Sequence, residues 1–113
     1  MIIGSHIEHS DTGSTSYYSA VFARRGFAAV FQVDVTHIKG SSTLLVSVEH
    51  KNKDETSWAA AGTFANITTA GTATKEIENL KEVLRFAFAF DTGGVAGDFF
   101  HVIVGTPSWR LYA

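Results

Sequence analysis

Hydrophobic and polar residues alternate one for one over long parts of this chain, the period of a strand with one buried face. From Phe27 to Thr36 the apolar set is Phe27, Ala29, Phe31, Val33 and Val35, with Gln32, Asp34 and Thr36 interleaved. From Thr43 to His50 the inward set is Leu44, Val46 and Val48, and Leu45, Ser47 and Glu49 face outward. The turn formers Lys39-Gly40-Ser41-Ser42 join the two runs, which predicts an antiparallel hairpin. Ser16 to Phe22 alternates more loosely, with Tyr18, Ala20 and Phe22 on one side, and Arg24-Arg25-Gly26 ends it.

Lys51 to Ser57 is a run of polar turn formers, expected to project from the domain edge because its burial would be costly. Trp58 restarts order as a core peg, Ala59 to Ile67 is weakly patterned, Gly71 marks a turn, and Thr72 to Glu78 resumes strand character. Between Lys75 and Phe90 two periods compete. Ile77, Leu80, Leu84 and Ala87 match helical spacing, whereas Leu84, Phe86, Phe88 and Phe90 match one face of a strand. A helix would spread the three rings around its cylinder, so Val83 to Phe90 reads as a central core strand. Glu78 to Glu82 then becomes a turn, with a short helix over Lys75 to Leu84 as the fallback. Asp98 to Val104 sets Phe100, Val102 and Val104 against Phe99, His101 and Ile103, both sets largely apolar, which implies a strand covered on both faces. Gly105-Thr106-Pro107 ends it, and Ser108 to Ala113 forms a last short strand.

About seven or eight short strands with regular turns predict an all-β, antiparallel β-sandwich or jelly roll. Residues 1–13 hold only Ile2, Ile3 and Ile7 as large aliphatics and read as an extended N-terminal arm, either a frayed terminus, an edge strand of its own domain or an arm lying on a neighbouring subunit. Residues 14–113 form the single sandwich domain. The expected core and scaffold residues are Leu44, Val46, Val48, Trp58, Leu84, Phe86, Phe88 and Phe90.

Composition narrows the function classes. The 113 residues carry a net charge of −2, which disfavours capture of nucleic acid or an anionic membrane. The absence of cysteine excludes disulfides, thiolate metal sites and a cysteine nucleophile, and suits a reducing cytoplasm. No apolar run approaches the roughly 18 residues of a membrane helix, and no signal-peptide layout opens the chain, so it is expected to be soluble and unexported.

Candidate chemistry is thin. His6, His9 and Asp11 are ligand types on an arm without second-shell support, so no metal is expected. Asp91-Thr92-Gly93 matches three residues of an aspartic-protease motif but lacks the second glycine motif that packs beneath it. No serine-hydrolase elbow, zinc-protease motif or phosphate loop occurs. Neither catalytic residues nor a cofactor are expected. Trp58, Trp109, Tyr17, Tyr18 and Tyr112 are candidates for an aromatic sugar platform, although core packing explains the tryptophans more simply.

Four stretches together carry a family resemblance: Ala-Val-Phe-Gln-Val-Asp-Val from Ala29, the run Thr43 to Trp58, Gly-Thr-Phe from Gly62, and Leu-Lys-Glu-Val-Leu-Arg-Phe-Ala-Phe from Leu80. The chain resembles the small β-sandwich virion proteins of tailed bacteriophages, over roughly Ala29 to Phe100. Asn52, Asp54 and Trp58 occupy that family's hairpin positions, and Leu80, Lys81 and Arg85 its later strand, while Lys53 and Glu55 replace its tight Asp-Gly. The resemblance implies a non-enzymatic structural protein made in the bacterial cytoplasm and placed on the capsid surface, decorating and cementing it. The implied partners are the major capsid protein and further copies of the chain, a homotrimer at threefold positions being the natural symmetry. Ile2, Ile3 and Ile7, with Trp109, Leu111 and Tyr112, are the expected contacts. A tail component and a carbohydrate-binding module are the alternatives.

Overall fold

The computed structural model describes residues 2–9, 14–38, 43–91 and 100–110. Among them ten strands occur: β1 (Ile2–His9), β2 (Ser14–Tyr18), β3 (Phe22–Ala23), β4 (Ala28–Ile38), β5 (Thr43–Lys51), β6 (Ala59–Thr63), β7 (Gly71–Ile77), β8 (Val83–Asp91), β9 (Phe100–Gly105) and β10 (Ser108–Arg110). All pairings are antiparallel.

Register shows how the strands are laid out. Ala29 faces Trp109 of β10 on one side and Ile77 of β7 on the other, so β10 continues the line of β9 along one edge of β4 and β7 occupies the opposite edge. In the same way Leu84 faces Phe22 and His50, which places β3 in line with β2. Sheet one therefore runs β1, β9 with β10, β4, β7; sheet two runs β2 with β3, β8, β5, β6. Four positions per sheet, with β1 at the first position paired to β9 in the last line of the chain, is the order of a jelly roll.

The expected hairpin between the second and third runs is not formed. β4 and β5 lie in different sheets, and β5 pairs instead with β8 from Thr43↔Asp91 to Lys51↔Val83. Both strands carry one apolar face, and burying the two faces against each other across the core satisfies the same alternation that a hairpin would.

The core lies between the sheets. Phe31, Val33, Val35, Leu44, Val46, Val48, Leu84, Phe86, Phe88 and Phe90 are all at most 2 % exposed, as period two requires. The rings of β8 form a ladder, Phe86 to Phe88 at 6.2 Å and Phe88 to Phe90 at 6.4 Å between centroids, and Phe31 of the opposite sheet meets Phe86 edge-on at 5.8 Å. Each buried ring contributes about 1.5–3 kcal/mol before entropy is counted. Val83–Asp91 is thus the central strand expected, and Glu78 to Glu82 is a turn in which Asn79 takes φ 57° and Leu80 plugs the core.

Three details depart from simple alternation. Between Tyr18↔Ala87 and Phe22↔Leu84 one extra residue enters the β2–β3 line, a bulge that reverses the facing of side chains. Tyr17, not Tyr18, therefore packs inward, edge-on to Phe90 at 5.3 Å. Ser19 fills the break: its backbone N–H donates to the Phe86 carbonyl at 3.0 Å and its Oγ accepts the Phe86 N–H at 2.8 Å. Phe27 lies outside the strand and is 53 % exposed, because burial begins at the adjacent pair Ala28 and Ala29. Gly26 just before it has no room for a side chain, since a Cβ there would lie 2.2 Å from the Arg110 carbonyl oxygen.

The expected arm is extended, and its residues Ile2–His9 form β1 on β9, from Ile2↔Gly105 to His9↔Phe100. β9 is thereby flanked on both sides, with Val102 and Val104 buried and His101 and Ile103 half-buried outside.

Candidate functional site

Sheet two buries the even positions of β8, so Arg85, Ala87 and Ala89 must face outward. Arg85 lies directly opposite Glu49 of β5, and its Nε donates to Glu49 Oε1 at 2.7 Å. Tyr18 approaches from β2 and Trp58 from the turn before β6, so the Arg85 guanidinium carbon lies 4.0 Å from the Tyr18 ring centre and 4.4 Å from that of Trp58. Lys51 adds a second cation 5.3 Å from Trp58. A cation over a ring contributes about 0.5–1 kcal/mol at such exposed positions.

This arrangement corrects one expectation. Trp58 is half-buried and stands outside the core cluster, where it packs against Arg85 and Lys51 on the outer face. Trp109, an expected contact residue, is half-buried and packs on the core, its ring 6.4 Å from both Phe22 and Phe31. The four candidate sugar-binding aromatics among the described residues do not form one platform: Tyr17 is turned inward, Trp109 packs on the core, and Tyr18 and Trp58 both have cations against their rings. Beyond the stack, Ala87, Ala89 and Ser47 floor a flat strip flanked by Tyr18 and Leu45, which are 55 % and 39 % exposed.

Beside the stack, the polar run after β5 is tied down. The Asn52 N–H donates to Glu55 Oε1 at 2.8 Å, the Lys53 N–H to Glu82 Oε1 at 3.0 Å, and Lys51 Nζ to the Glu55 carbonyl at 3.1 Å. Lys81 Nζ reaches Glu55 Oε1 at 3.2 Å, while the Lys81 N–H donates to His50 Nδ1 at 3.2 Å. Burial, reinforced by the Lys81 charge and opposed by Glu55, lowers the His50 pKa from its usual 6.5. The Asn52 N–H and then Lys81 lower that of Glu55 from 4.5. His50 is thus a neutral acceptor, and the groups around it fasten the turn after β5 to the turn before β8.

A cavity of about 440 Å³ opens where β6 and β7, the outermost strands of the two sheets, face one another, and it is lined by residues 63–75. At its inner end Ile77 closes the gap over Gly62, where a Cβ would meet Ile77 Cδ1 at 2.8 Å and Lys75 Cε at 3.2 Å. Threonine and alanine dominate its wall, with one asparagine.

Of the other sequence candidates, Ile2 and Ile7 enter the β1–β9 ladder opposite Gly105 and Val102, and Ile3 lies in the same strand. His6 and His9 are also in β1, opposite Ile103 and Phe100. Asp11, Thr92, Gly93, Leu111 and Tyr112 lie outside the described residues. Among the described residues no three histidine, aspartate or glutamate side chains are grouped to hold a metal ion. No helix there is long and apolar enough to cross a membrane. Sequence reasoning missed the Arg85 stack, whose parts come from three separated segments, and the cavity, whose only signal was the density of threonine between 63 and 75.

No protein-family model and no curated protein matches the chain. Solved structures do. A chain in the structure of infectious bursal disease virus, Gt strain, superposes with a TM-score of 0.58 at 11 % identity over 92 % of this chain. A chain of the Gx strain gives 0.53 at 11 % identity over 91 %. The crystal structure of PirA gives 0.56 at 9 % identity, covering 88 % of this chain and 93 % of PirA. This chain spans only 30 % and 29 % of the two virus chains. The likeness is one of fold: a β-sandwich shared with chains of a virus and with PirA.

Proposed function

We propose that this chain is a non-enzymatic structural protein of a tailed-phage particle, held on the capsid exterior against the major capsid protein and copies of itself. One observation carries the reading: the jelly-roll order, an architecture that serves viral capsids among other roles, runs from β1 to β10 and superposes on virus chains over nine-tenths of the length. The outer face of sheet two suits such a role. Its strip of Ala87, Ala89 and Ser47 is flat and uncharged, Tyr18 and Leu45 stand exposed beside it, and Arg85 and Glu49 neutralise one another at its end. Surfaces of that kind dock on preformed lattices without a desolvation penalty for unpaired charge.

The test uses particles. Those purified without the chain are expected to lose resistance to heat and chelation and to recover it when the purified protein is added back. Ala89→Arg, at an exposed strand position, should unfold at the same denaturant midpoint as the parent yet fail to restore resistance. Particles that keep full resistance without the chain exclude the cementing role, and recovery of the chain in tail fractions reassigns it to the tail.

A further inference from the structure

The edge of the sandwich between β6 and β7 has a use that capsid docking does not require. Ile77 seals the inner end against Gly62, Phe64 and Ile67 stay hydrogen-bonded to Val46 and Leu44 of β5, and the chain then crosses from Thr68 to Gly71 into β7, leaving the cavity of about 440 Å³, within the range of about 300–1,000 Å³ typical of small-molecule sites. Phe64, Ile67 and Ala73 contribute to the lining and pack on the core, giving it an apolar floor. Thr63 and Thr72 share their hydroxyls with Ser47 at 3.3 Å and Asp34 at 2.7 Å. Thr68, Thr69 and the Asn66 amide line the cavity with no side-chain hydrogen bond among the described residues. Lys75 is the one charged residue on the lining and makes no ion pair among the described residues, and no carboxylate lines the cavity.

Uncommitted hydroxyls, a carboxamide, an apolar floor and one ammonium group are the complement of a polyhydroxylated ring that carries a negative charge. Hydroxyls and the amide can both donate to and accept from ring hydroxyls, which a site for a simple anion has no need to do. We infer that this cavity binds an acidic sugar residue, with Lys75 paired to the sugar carboxylate and Asn66, Thr68 and Thr69 to its hydroxyls. The site is separate from the Tyr18 and Trp58 rings, so its fate does not depend on the docking surface of sheet two.

Titrations of the intact protein with sodium glucuronate, methyl glucoside and inorganic phosphate, followed by backbone amide chemical shifts, test it. Glucuronate should perturb amides of residues 63–75 and bind more tightly than methyl glucoside. Lys75→Met should weaken glucuronate by about fivefold and erase the preference. Ala70→Phe, at the exposed rim beside Gly71 and not at Gly71 itself, whose φ of 150° disfavours any side chain, should block both sugars with the unfolding midpoint unchanged. Silence of residues 63–75 towards both sugars overturns the inference. So does phosphate acting there while the sugars do not, or a sugar response centred on Tyr18 and Trp58.

Discussion

The outer faces of the two sheets are made of different chemistry. On sheet one, Gln32 Nε2 donates to Asp34 at 3.3 Å, Thr72 to Asp34 Oδ1 at 2.7 Å, Thr36 bonds His101, and Arg110 pairs with Glu76 at 2.9 Å. These are short polar links within β4, to its neighbours and across it from β10 to β7, each in contact with water. Sheet two concentrates its charge in one place, where Arg85 is held between two rings and against Glu49, and leaves the rest as alanine, serine and exposed Tyr18 and Leu45. A face stabilised by many exposed polar links loses little when one is cut. A face that depends on one shared cation should lose several contacts at once.

The largest effect is expected at the margin of sheet one. Deleting residues 1–9 removes β1 and uncovers the edge of β9, whose Val102 and Val104 are core residues. That loss should be comparable with the whole stability of a small domain, about 5–15 kcal/mol, so the truncated chain should lose cooperative urea unfolding. A cooperative transition near the parent midpoint would show that β1 acts as a detachable arm.

Next comes the direct comparison of faces. Arg85→Ala leaves the partly buried Glu49 carboxylate without its partner and strips a cation from Tyr18 and Trp58, a cost of about 1–3 kcal/mol. Asp34→Ala on sheet one should cost less than about 1 kcal/mol, because Thr72 and Gln32 are left facing water. Double-mutant cycles of Arg85 with Tyr18 and with Trp58 should each return a coupling of about 0.5–1 kcal/mol. Equal losses for the two substitutions, or couplings of zero, would abolish the distinction.

How much of this was legible in the sequence depended on whether a property is local. Burial of Leu44, Val46 and Val48, and of Leu84, Phe86, Phe88 and Phe90, follows from alternation alone, and all seven are inside. Partner choice is not local. β4 and β5 have the same pattern whether they pair edge to edge or pack across the core, and only the competition of β8 for β5 decides. The facing of Tyr17 and Tyr18 depends on one inserted residue at a bulge that no composition rule marks. Trp58 looked like a core residue because tryptophan is large and apolar, yet cations brought to its ring from β5 and β8 give it a place on the outer face. The strand residues of the candidate surfaces were therefore foreseeable, but their grouping was not.

The smallest effect separates the Arg85 stack from the cluster beside it through pH. His50 has a lowered pKa in the fold, so between its folded pKa and 6.5 the unfolded chain binds more protons. The stability this contributes is fully present above 6.5, declines as pH falls below it, and is gone below the folded pKa. Glu55, also lowered, contributes above 4.5 and loses that contribution as pH falls through its own folded pKa, so both groups weaken the fold in acid. Urea midpoints should thus fall in two steps on acidification. His50→Gln should remove the upper step and leave the lower, while Lys81→Met should shrink both, because Lys81 lowers both pKa values. The Arg85→Ala variant should keep both steps at a lower overall midpoint, since Arg85 is not among the groups that shift either one. An upper step that survives His50→Gln would place the titrating group elsewhere.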